Sequence, residues 1–201
     1  VAWVHGPSGI GKTRLVRELE RAVAPQRRGV LWLSVADAPD IPGPPTLVGR
    51  VLKALLGGDD ATAVDPWRAL AVRVGELVGE RNAGECMAVV GPLVGVAHPE
   101  ATGREAPRTL DPQPEIAIQF LGSLLRSRGR TGPLVLHLDA SRGSIEATTA
   151  LCRGLLDALG GISAAIIVES RRTPPRTLNV TAVALGPLPD GDALGLARFV
   201  L

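Results

Sequence analysis

The chain has 201 residues, 45% of them hydrophobic, enough for one domain with a substantial buried core. Its formal net charge of +2, with arginine far outnumbering lysine and no tyrosine, demands neither a nucleic-acid nor a membrane partner. No apolar run is long enough to span a bilayer, and Cys86 and Cys152 stand apart without metal or disulfide spacing, as buried reduced thiols of a cytoplasmic protein would.

The first element predicted is a buried strand, Val1 to His5, ended by Gly6. After GPSGIGKT at 6–13, Leu15, Leu19 and Val23 recur at four-residue spacing with Val16 beside them. That spacing predicts a helix with this apolar face inward, Arg14, Arg17, Glu18 and Arg21 outward, and Pro25 as its stop. Gly29 to Ala36 reads as a second strand, DAPDIPGPP as a loop, and Thr46 to Leu56 as a short helix. Pro66 to Gly79 carries Trp67, Leu70, Ala71, Val74, Leu77 and Val78 on one helical face, with Asp65 as N-cap. Residues 91–114, rich in Pro and Gly, predict an exposed loop.

Helical pattern resumes at Glu115 with Ile116, Phe120, Leu121, Leu124 and Leu125, and PLVLHLD at 133–139 is an apolar strand ended by an acid. A helix over 144–159 closed by two glycines, then strands at 162–168 and 180–185, complete the series. Strands alternating with helices predict an α/β three-layer fold around a mainly parallel, five-stranded sheet. Ligands bind at the carboxyl ends of such strands, where Gly6, Asp37, Asp139 and Ser170 fall. Of the histidines, His5, His98 and His137 make no ligand cluster, and His137 reads as a hydrogen-bonded core residue. The chain starts inside a strand and ends as a helical pattern opens, so residues 1–201 are expected to be one domain of a longer protein.

The stretch from Gly6 to Thr13 fits G-x-x-x-x-G-K-[ST], and one of only two lysines in the chain supplies its Lys. Gly6, Gly9 and Gly11 permit positive φ, so the N–H groups of Gly6, Pro7–Ile10 (proline excepted) and Gly11 to Arg14 can turn toward phosphate oxygens at a helix N-terminus. Pro7, Ser8 and Ile10 complete that loop. Lys12 would reach the β- and γ-phosphates, and the Thr13 hydroxyl would bind Mg²⁺. Asp139 ends a Walker B-type strand and would hold the same ion from the opposite side. ATP or ADP with Mg²⁺ is the implied ligand.

Four stretches, GPSGIGKTRLVREL at 6–19, PLVLHLDAS at 133–141, IIVESRR at 166–172 and LGPLPDGDALGL at 185–196, run in one recognisable order. Through them the chain resembles the AAA-like domain of STAND-type signalling ATPases, as in large LuxR-family transcriptional regulators of bacteria. The resemblance implies an ASCE-type P-loop fold whose helical lid is truncated here, a cytoplasmic setting and a role in transcription regulation. It also implies a phosphate-sensing Arg171 after Ser170, with Arg172 as the alternative, and a packing role for Leu185 to Leu188. Implied partners are nucleotide, further domains of the same chain (lid, repeats, a DNA-binding output) and, under nucleotide control, other copies of itself. Direct contact with nucleic acid or membrane is not expected.

The family's second acid after the third strand, the proposed base for the attacking water, is replaced by Ala140, which cannot accept a proton. Hydrolysis is therefore expected to be weak or lost while binding survives. Asp37 or Glu169 could substitute, although each reads first as a polar strand end without catalytic duty. Two other readings stay open: a small-molecule P-loop kinase using the acids at 37–40, and a non-catalytic nucleotide-binding scaffold. The Arg126, Arg128 and Arg130 series, with no aromatic residues interleaved, reads as a solvated helix end.

Overall fold

The computed structural model describes residues 1–23, 29–36, 44–57, 65–97, 99, 113–189 and 191–192. Pro25, Asp37, Asp40, His98, most of 91–114 and the end of LGPLPDGDALGL lie outside these described residues.

Five strands, β1 (Ala2–His5), β2 (Leu31–Ala36), β3 (Leu134–Asp139), β4 (Ala164–Ser170) and β5 (Thr181–Ala184), form one sheet in the order β2-β3-β4-β1-β5. Every pairing is parallel, as the sequence predicts. The register aligns Ala36 with Asp139, Asp139 with Glu169, and His5 with both Ser170 and Ala184. The carboxyl ends of β1, β3 and β4 therefore open on one crevice.

Alternation along the strands explains the two faces. Leu134, Leu136 and Leu138 point to one side with Trp3, Leu33, Val35, Ile166 and Val168, all in the main core cluster. The core on this side is shared with α2 (Pro44–Leu55), α3 (Pro66–Val78), α4 (Glu80–Val94), α5 (Pro114–Gly129) and α6 (Ile145–Ala158), of which α2 and α5 meet the strands and α3 and α4 pack on those helices. Val4 and Ile167 point the other way and meet Val16 of α1 (Lys12–Val23), with Trp32, Val135, Val183 and Leu185 around them.

The caps follow sequence chemistry. Asp65 accepts the Arg68 N–H at 3.0 Å and Pro66 takes the first position of α3, while Ser144 accepts the Ala147 N–H at 3.2 Å at the start of α6.

Four expectations are corrected. Helix α1 buries Lys12 and Val16 and leaves Leu15 and Leu19 more than 40% exposed, because the helix is rotated to bring Lys12 inward. Pro44 and Pro45 open α2 instead of ending the preceding loop, a position where a missing N–H costs nothing. Helix α4, unread in the sequence, runs through Val94, so residues 91–94 are helix and not loop, with Gly91 and Val94 buried. Its inward residues, Cys86, Met87, Val90, Gly91 and Val94, have ordinary helical spacing. Finally, Leu185 packs beside Val4, but Leu188 is 53% exposed.

Candidate functional site

The turn between β1 and α1 takes the shape its glycines allow. Gly6, Gly9 and Gly11 have φ of 152°, 78° and 101°, conformations a side chain would strain. A Cβ on Gly6 would also lie 2.5 Å from the Leu185 carbonyl oxygen, which fixes the loop against the strand beside it. Lys12 is buried, and its Nζ donates to the Gly6 carbonyl at 3.0 Å and the Pro7 carbonyl at 2.8 Å. An ammonium inside a ring of main-chain groups at a helix N-terminus suits a polyanion.

One cleft of about 270 Å³ gathers Ser8, Gly9 and residues 11–14 of this turn, Asp139 and Ser141 after β3, and Glu169 and Arg171 at the end of β4. Its size falls below the ~300–1,000 Å³ of complete small-molecule pockets. Gly6, Pro7 and Ile10 shape the turn from outside that cleft: Pro7 through its carbonyl, and Ile10 by packing over Gly6. Arg171 lines the cleft and Arg172 does not; the Arg172 carbonyl instead accepts the Trp3 indole N–H at 3.0 Å, and its N–H donates to Ser170 Oγ at 3.1 Å.

Two acids, Asp139 and Glu169, border the cleft with Thr13. Asp139 Oδ1 accepts the Ser141 N–H at 3.0 Å, a local turn that Ser141 contributes and sequence reasoning missed. The acid that reaches Thr13 is Glu169, whose Oε1 accepts the Thr13 hydroxyl proton at 2.5 Å. Glu169 is only 3% exposed. Its Oε2 lies 3.5 Å from His137 Nε2, too long for a good hydrogen bond, and neither buried atom has a partner among the described residues. His137 Nδ1 lies 3.3 Å from Ser34 Oγ. Ala140 turns its methyl group into the core cluster, and its N–H bonds the Glu169 carbonyl at 2.8 Å.

Magnesium takes hard oxygen donors and keeps several from phosphate and water. The hydroxyl and carboxylates bordering this cleft are donors of that kind. Among the described residues no three His, Cys, Asp or Glu side chains converge to hold a metal by themselves.

A larger cleft of about 600 Å³ lies away from the strand ends, between α3, α5 and α6. Arg126 there already donates to the Ala158 carbonyl at 2.7 Å, and Arg128 donates to Thr131, so this helix end is satisfied locally. No helix among the described residues is long and apolar enough to cross a membrane.

The parallel sheet order, the glycine turn entering α1 and the acids opposite it define a P-loop NTPase fold. The sequence profile of the AAA ATPase domain matches residues 1–168, and the chain belongs to that family, whose members bind nucleotide. No curated protein gives a significant match to the chain.

Proposed function

We propose that the chain is a MgATP- and MgADP-binding switch domain of a multidomain signalling ATPase of the STAND type, with weak or absent hydrolysis. Gly6 to Arg14 would wrap the phosphates, Lys12 would contact the β- and γ-phosphates, Thr13 and Asp139 would serve the magnesium ion, and Arg171 would read the γ-phosphate. The observation that carries this reading is the joint placement of Lys12, Thr13, Asp139, Glu169 and Arg171 around one cleft at the end of the P-loop strand.

Slow turnover follows from the acids. Ala140 offers a methyl group, and that group faces the apolar core. Glu169 is engaged with Thr13, which leaves it poorly suited to activating water. In a switch, the bound nucleotide itself biases two conformations, so slow hydrolysis sets a lifetime instead of a flux. A regulatory, LuxR-like role rests on the four sequence stretches and on nothing else. The kinase reading draws no support from the described residues, since its acceptor acids at 37–40 lie outside them.

The reading predicts tight nucleotide binding with phosphate release below about 10⁻² s⁻¹, the scale of intrinsic switch GTPases. Rapid-mix phosphate detection at saturating MgATP checks this. Turnover of about 1 s⁻¹ or faster, within the ordinary enzyme range, would contradict it.

A further inference from the structure

Given the nucleotide site proposed above, we propose that Glu169, at the end of β4, is the positioning residue for the magnesium-binding hydroxyl of Thr13. A hydroxyl has one proton to donate and two lone pairs. The Thr13 proton is committed to Glu169 Oε1 at 2.5 Å, a short charge-assisted bond. With the proton held there, the lone pairs are left for a cation, and the pull of the carboxylate strengthens the oxygen as a donor, as outer partners of metal ligands do. The hydrogen bond seen at Asp139 is a different one, from the Ser141 N–H to Oδ1.

The fold explains the placement. Strand β4 lies between β3 and β1, and the register sets Glu169 beside Asp139 on one side and Val4 on the other. The acid thus stands between the strand that leads into the P-loop and the strand that carries Asp139. Burying a carboxylate is costly unless it is paired. Glu169 is 3% exposed, yet among the described residues its side chain has one hydrogen bond, the one to Thr13, and Oε2 has none. A carboxylate so placed on the border of the cleft, with one oxygen on the Thr13 hydroxyl and the other toward the His137 ring, is matched to holding that hydroxyl for a cation.

The test compares the wild-type chain with Glu169→Gln, which keeps the shape and removes the charge. ADP affinity is measured in EDTA and at saturating Mg²⁺, and the Mg²⁺ affinity of the ADP complex is measured by titration. Mg²⁺ should bind about 10- to 100-fold more weakly in the variant, while metal-free ADP affinity stays unchanged. Glu169→Ala, which also removes the acceptor, should lose at least as much. Undiminished Mg²⁺ affinity in Glu169→Gln overturns the proposal, and so does an equal loss with and without metal, which marks a structural role. A wild-type chain that binds no ADP under either condition removes the nucleotide reading and this assignment together. Mg²⁺-dependent wild-type binding that survives Glu169→Gln removes this assignment alone.

Discussion

Cys152 on α6 has no exposed surface, and burial pushes its thiol from an ordinary 9.0 up to about 12. A neutral buried thiol resists ionisation when folded but ionises readily once unfolded. Its contribution is therefore complete below pH 9 and falls as pH rises from 9 toward 12, by about 1.4 kcal/mol per pH unit. Urea unfolding of wild type and Cys152→Ala at pH 8 and pH 10 should show this extra loss in the wild type alone; equal losses would contradict it. The same scale shows what single residues disclose in sequence. Lys12 and Asp139 are legible because each sits in a motif with a strand and helix beside it. The bond between Thr13 and Glu169 joins residues 156 apart, through a strand order that no local pattern reveals. Its one sequence signal is an acid inside the apolar run IIVES, since a buried carboxylate needs a partner.

At the scale of elements, the helix pair α2 and α4 is held by contact too close for side chains. A methyl at Gly49 of α2 would run into the Leu93 carbonyl oxygen of α4, which is main chain and cannot swing aside. Gly49→Ala should lower stability by about 1–3 kcal/mol, in spite of a helix-propensity gain of about 1 kcal/mol. Gly84→Ala on α4 meets nothing within 4 Å and should instead gain about 0.5–1 kcal/mol. Denaturant midpoints of both variants check the pair, and a shift of the same sign in both would contradict the packing. Gly84 and Gly91 of α4, with Pro92 in the last turn, also explain why that helix is hard to read from sequence: locally they look like breaks, and only the Trp67 ring of α3, 2.6 Å from where a Cβ on Gly91 would lie, gives Gly91 a packing reason. Helix α1 was legible in its start but rotated in its face, because the demand to place Lys12 under the loop outweighs the burial of Leu15 and Leu19.

For the whole molecule, alternating strands and helices made the α/β class and the parallel sheet legible, and the family match agrees with both. Sheet order was not legible, since it depends on which strands find each other across long connections. That order matters most for function. It sets β1 between β4 and β5, with β3 next beyond β4, so that the phosphate-binding turn, Glu169 and Asp139 share one end of the sheet. The account stands or falls on whether this end binds a nucleotide through Lys12. Calorimetric titration of wild type and Lys12→Ala with MgADP tests that directly. The account predicts saturable one-to-one binding by the wild type and a loss of at least about tenfold, or 1.4 kcal/mol, in the variant. Equal affinity in the two proteins, or no binding by the wild type, would contradict it.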